Sequence, residues 1–144
     1  MSVMLILLFV VAVDQSTKYL ITANMMEGAS IPLIKGIFHL TYILNSGAAF
    51  GILENSRWFF VAAAVGVLGA LFYWRRHIRN EKPLLRFGSA LFAGGALGNL
   101  IDRVRIGMVI DFFDFRVWPI FNVADIAICV GAGLIIWSML MTEA

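Results

Sequence analysis

The run "WFFVAAAVGVLGALFYW", residues 58–74, is seventeen uninterrupted apolar residues with Trp at both ends. A helix of about this length crosses the hydrocarbon of a bilayer, and amphipathic Trp rings favour its two interfaces. Three further stretches, about 1–22, 84–101 and 120–141, have the same character. The whole chain agrees: 61% of its 144 residues are hydrophobic and 14% charged, with a mean hydropathy of +0.90, which excludes an ordinary soluble domain. The first stretch lacks a basic leader and an A-x-A-like cleavage site, and three spans follow it. It therefore reads as a retained span and not as a secretory signal peptide. The expectation is an all-α integral membrane protein, a single membrane-embedded domain over 1–144 with four transmembrane helices.

Charge sets the expected orientation. "RRHIRNEKPLLR", between spans two and three, holds Arg75, Arg76, Arg79, Lys82 and Arg86, five of the eleven basic residues. The positive-inside rule places this linker and both termini in the cytoplasm. Asp14, Glu27, Glu54, Asp102, Asp111, Asp114 and Asp125 then fall on or near the outer side. The net charge of +2 reports topology, and no nucleic-acid partner is implied. The lone Cys129 lies within span four and reads as small apolar filler. His39 and His77 belong to opposite sides, so no zinc-type ligand cluster and no cofactor are expected.

The last span poses a question. From Ile126 to Trp137 it carries no charge, yet "FNVAD" opens it with Asn122 and Asp125, one helical turn apart. A carboxylate at a helix centre in lipid costs roughly 2.5–3.5 kcal/mol and persists where it has a task. With a rise of about 1.5 Å per residue, Asp14, Asp102 and Asp125 each lie roughly 20–25 Å from the cytoplasmic end of their own helices. Three helices thus deliver a carboxylate to one depth near the outer interface. Asn122 with Asp125, Asn99 with Asp102, and Asp14 with Lys18 are each spaced to share a helix face. Arg103 and Arg105 stand beside Asp102, where an ion pair would keep it charged. Asp111 of "VIDFF" has an apolar setting, which raises a carboxyl pKa. Two carboxylates brought together can share a proton and hydrolyse a peptide bond without metal, Ser or Cys. Spacing alone does not select Asp111 over Asp102 as the partner of Asp125.

Between spans one and two, Phe38, Leu40, Tyr42 and Leu44 alternate with His39, Thr41 and Ile43, the period of a strand. A small extracytoplasmic β-sheet is expected there. "NSGAAFG" after it reads either as a stretch whose backbone can hold an extended peptide or as a turn re-entering the membrane. In "GGALGNL", Gly94 and Gly98 have the small-xxx-small spacing of closely packed membrane helices. No strand precedes them, so a phosphate-binding loop is set aside.

"DQSTKYL", "NSGAAFG", "GGALGNLIDR", "VIDFFDF" and "FNVAD" stand in an order and spacing that resemble lipoprotein signal peptidase, the bacterial signal peptidase II family, over nearly the whole chain. The resemblance implies a four-helix aspartic endopeptidase of the bacterial cytoplasmic (inner) membrane, active near the extracytoplasmic face. It implies removal of the signal peptide from diacylglyceryl-modified prolipoproteins, just before the lipidated cysteine, and inhibition by the cyclic peptide globomycin. It assigns Asp111 and Asp125 as the catalytic dyad. Asn99, Asp102, Arg103, Asp14 and Lys18 become supporting polar residues, while Asn45, Gly47 and Asn122 hold substrate backbone. Membrane lipid is the other partner, and a monomer is expected. The segment between Asp111 and Asp125 is several residues shorter than in many members, and only three residues follow Met141. The alternative class is a proton- or ion-coupled transport subunit, which predicts polar residues through the full membrane thickness. The inner half of each span is nearly free of them. A non-catalytic assembly partner, tolerant of Asp111→Asn, is a second alternative.

Overall fold

The computed structural model describes residues 3–47, 53–80 and 82–143. The elements run α1 (Val3–Asn24), β1 (Ser30–Ile34), β2 (Phe38–Asn45), α2 (Arg57–Asn80), α3 (Pro83–Ile106), β3 (Val109–Asp114) and α4 (Val123–Glu143). All four helices are long and apolar enough to cross a membrane. The strands form one antiparallel sheet in the order β1-β2-β3. It caps the bundle end where α1 and α3 finish and α2 and α4 begin.

The bundle is inside out relative to a soluble protein. Phe9, Tyr19, Trp58, Phe72, Tyr73 and Met139 are exposed, whereas the largest fully buried side chains are Lys18, Asn122, Asp14 and Asp111. Lipid is as apolar as Leu, so helices gain little by hiding Leu from it and associate through close packing and hydrogen bonds. α3 supplies the close packing with a run of buried small residues that includes Gly88, Ala90, Ala93, Gly94, Gly95 and Gly98. A methyl on Gly94 would lie 2.8 Å from Val10 Cβ on α1, and one on Gly95 would run into the Ala124 carbonyl and Ile128 of α4. The small-xxx-small reading holds, with α1 and α4 as the close neighbours. α2 leans on α3 from outside, and none of its spanning residues is buried.

Helix ends depart from expectation in informative ways. α1 and α3 continue to Asn24 and Ile106, and α3 stops at Gly107, whose left-handed backbone (φ 83°) lets its N–H bond Arg103 O at 3.1 Å. The fourth helix starts at Val123, not near residue 120. Phe121 is held away from helical geometry because its N–H donates to Phe113 O at 3.1 Å and its carbonyl accepts from Phe113 N at 2.8 Å. The expected sheet between α1 and α2 is present as β1 and β2, but it gains β3 from the α3–α4 connection. The alternation in "VIDFFD" was masked because Asp111 and Asp114 are buried members of the strand. In "NSGAAFG", Asn45 to Gly47 are described; residues 48–51, on which both readings of that stretch turned, lie outside the described residues.

Candidate active site

The opening of α4 resolves why Asn122 and Asp125 stand a turn apart. Asn122 occupies the N-cap: its Oδ1 accepts the Asp125 backbone N–H at 2.9 Å, while Asp125 Oδ2 accepts the Asn122 backbone N–H at 3.0 Å. This reciprocal pair is a capping box built from Asn and Asp, satisfying donors that a helix start leaves open. A third donor, the Ala124 N–H, bonds Asp14 Oδ1 of α1 at 2.9 Å. Polar residues were needed here to begin a helix inside a membrane protein. Their remaining atoms face other groups.

Lys18 is the hub of those groups. It is 2% exposed, and its ammonium reaches Asp102 Oδ2 at 2.7 Å, Asp14 Oδ2 at 2.9 Å and Asn99 Oδ1 at 3.0 Å. Three N–H groups meet three acceptors, which is what a buried ammonium requires. The three carboxylates inferred to lie at one depth do converge here: Asp14 and Asp102 on Lys18, and Asp125 through Asn99, whose Nδ2 donates to Asp125 Oδ1 at 2.8 Å. Asp102 therefore pairs with Lys18 and not with Arg103 or Arg105, correcting the ion pair suggested by adjacency. Asp102 shares the inward face of α3 with Asn99, whereas Arg105 is exposed and Arg103 turns to Gly47 O at 3.1 Å and the Phe60 ring at 4.6 Å.

β3 brings Asp111 to the same place. Its neighbour Ile110 is tethered by an N–H bond to Asp102 Oδ2 at 3.2 Å. Asp111 Oδ1 accepts from Asn122 Nδ2 at 2.7 Å and Oδ2 from Asn45 Nδ2 at 3.0 Å. Asn122 therefore touches both carboxylates, Asp111 through its side-chain amide and Asp125 through its backbone N–H. Burial, and then the Asp125 charge, push the Asp111 carboxyl up to about 7, while the amides of Asn45 and Asn122 pull the other way. Asn45, Gly47, Asn99, Arg103, Asp111 and Asp125 share the wall of one cavity of about 570 Å³. The rest of the wall is mostly apolar, running from Trp118 to Phe121 and down α4 past Ile126 and Val130. Cys129 also lines it and is exposed.

Sequence reasoning missed Gln15, whose Nε2 reaches Asp102 Oδ1 at 3.0 Å, Asp14 Oδ2 at 3.2 Å and Gly98 O at 3.2 Å. Its place beside Asp14 in "DQSTK" was the available signal. It also missed the anchor of the sheet. There Asp114 accepts from Thr41 Oγ1 at 2.7 Å and from the Arg116 backbone and guanidinium at 2.8 and 3.0 Å. Burial pulls the Asp114 carboxyl upward, but these donors outweigh it and hold the group below the usual range. Among the described residues, no group of three or more His, Cys, Asp or Glu is arranged to hold a metal ion.

Four apolar helices closed around a polar core, with two carboxylates on the wall of one cavity, define a multi-pass membrane protein of enzyme type. The profile described as "Signal peptidase (SPase) II" matches residues 6–141, and the chain belongs to this family of membrane peptidases. The lipoprotein signal peptidase of Pelotomaculum thermopropionicum is 47% identical over 97% of this chain and 92% of its own length. That of Brevibacillus brevis is 49% identical over 92% and 90%. Two solved bacterial membrane enzymes share the fold. One, at 38% identity, has a TM-score of 0.90 over 99% of this chain and 89% of its own; the other, at 39%, has 0.85 over 96% and 92%.

Proposed function

We propose that the protein is an aspartic endopeptidase that cuts the signal peptide from diacylglyceryl-modified prolipoproteins just before the lipidated cysteine. The observation that carries the reading is the bridge through Asn122, which ties Asp111 and Asp125 to one cavity wall; the names of its relatives supply the substrate class. The pair works with one proton. Asp111 holds it, and ionised Asp125 takes a proton from water as the oxygen attacks the scissile carbonyl carbon. Asp111 gives its proton to the carbonyl oxygen, so the tetrahedral intermediate is a neutral diol. Collapse breaks the C–N bond: the amine leaves with the proton from Asp125, and a diol hydroxyl returns one to Asp111. Asn45, Gly47 and Arg103 border the cavity where an extended peptide backbone would lie, and the apolar wall of α4 lies toward lipid.

The protein acts as a single domain over 1–144 and as a monomer, with both termini cytoplasmic and the sheet end extracytoplasmic. Purified protein in detergent should shorten a diacylglyceryl-modified prolipoprotein, and globomycin should block the product. Asp111→Asn and Asp125→Asn should each lower cleavage at least 10³-fold while leaving a folded, inserted protein. Substantial turnover by either variant refutes the assignment.

A further inference from the structure

We infer that Lys18, acting through the Asn99 amide, is a positioning residue that fixes Asp125 as the charged member of the pair. This rests on the aspartic reading above. An ammonium can only donate. Asn99 must therefore turn its oxygen to Lys18 Nζ (3.0 Å), and Asn122 Nδ2 donates to the same oxygen at 3.1 Å. With its oxygen committed twice, the Asn99 amide has one orientation left. Its NH2 points at Asp125 Oδ1, 2.8 Å away. The other oxygen accepts the Asn122 backbone N–H at 3.0 Å, a donor that cannot reverse. Each oxygen of Asp125 thus meets a donor whose direction is set by something else. A carboxylate satisfies both donors fully, and the first turn of α4 favours negative charge.

The Lys18 ammonium cannot turn away, because Asp14 and Asp102 hold its other two N–H groups. Asp111 also meets donors of fixed direction, since the Asn122 and Asn45 oxygens accept the Asp125 and Gly47 backbone N–H groups, but neither of those amides has its oxygen on an ammonium. It lies on a strand, and its two donors are side-chain amides, Asn45 and Asn122. The charged groups acting on Asp125 are Asp14 and Lys18 from α1, Arg103 from α3 and Asp111 from β3, with Asp102 of α3 behind Lys18. The Lys18 charge is felt at Asp111 too, but its hydrogen-bonded relay through the Asn99 amide ends on Asp125. The pair is thereby made unequal before any substrate arrives.

The test is the pH dependence of kcat/KM for a diacylglyceryl-modified prolipoprotein. Asn99→Asp keeps the side-chain shape and an acceptor for Lys18, but it removes the donor to Asp125 and adds a like charge beside it. The acid side of the profile should move up by about one pH unit or more, so that at a fixed pH on that side activity falls roughly tenfold. Lys18→Met should move the same side in the same direction. Should Lys18→Met fail to fold, Asn99→Asp carries the test alone. A purely structural role lowers the whole curve without moving it, and that result overturns the inference. The two readings fail separately. Wild type unable to cut the substrate, or cutting unaffected by Asp111→Asn, removes the aspartic reading. A wild-type profile with two limbs and an unmoved acid side in Asn99→Asp removes only the role given to Lys18 and Asn99.

Discussion

Asp111, proposed above as the protonated member of the pair, is the residue at which that role and stability are most opposed. Its carboxyl is pushed up to about 7 by burial and by the charge of Asp125, against about 3.9 in an unfolded chain. Because the folded state holds this proton more tightly, the stabilisation is fully present below about pH 4 and is lost as pH rises toward 7. At about 1.4 kcal/mol per pH unit, the loss is on the order of 4 kcal/mol. Thermal midpoints measured in detergent between pH 4 and 8 should therefore fall for wild type. In Asp111→Asn, which has no proton to lose at this position, the component of the slope between pH 4 and 7 should be missing. Equal slopes would show that the acid is not held protonated. The unusual position of Asp111 was legible in its apolar neighbours, and the polar pair opening the last span was visible as an anomaly. The partner of Asp102 was not. Adjacency pointed to Arg103, and only the packing of α1 on α3 shows that Lys18 occupies the space in front of Asp102.

At the scale of elements, glycine spacing in α3 determines how closely the carboxylates can meet. Gly95 faces backbone: an added methyl would run into the Ala124 carbonyl and come within 3.0 Å of Ile128 N. Backbone cannot swing aside as a side-chain tip can, so Gly95→Ala should force α3 from the start of α4, at a cost of about 1–3 kcal/mol. Ala124 adjoins Asp125, and a misplacement of about 1 Å at a reacting group can cost about 10²-fold in rate. Gly69→Ala is the control. Nothing lies within 4 Å of its added methyl, so stability should be unchanged or improved by up to about 1 kcal/mol, with cleavage intact. Unfolding and turnover in the same detergent would separate the two, and equal behaviour would show that α3–α4 spacing is not limiting. The sequence showed that small residues would pack, but not against which helix. It also hid β3, because a strand with two buried acids has no clean alternation of apolar and polar residues. Phe121 was drawn into the last span for a similar reason: its side chain is apolar, while its place is set by backbone pairing to Phe113.

The whole molecule has two unlike ends. One carries the sheet, the cavity and the polar core; the other carries the short basic connection between α2 and α3. Four spans and a cap were legible from hydropathy and from one stretch of alternation, because lipid imposes length and apolarity on every helix that crosses it. The orientation proposed above rests on charge asymmetry, since cytoplasmic loops hold the excess of Lys and Arg. Lys35, in the turn between β1 and β2, and Lys82, before α3, are both exposed and belong to opposite ends. Each can be replaced by Cys in a Cys129→Ser background, which removes the one native thiol. A membrane-impermeant maleimide added to intact spheroplasts should label Lys35→Cys, and should label Lys82→Cys only after permeabilisation. The reverse pattern would put the two carboxylates on the cytoplasmic side, where a signal peptide would meet them before its cargo had crossed the membrane. On the function proposed above, orientation decides when in export the cut can occur: with the sheet end outside, Asp111 and Asp125 would reach only chains already carried across.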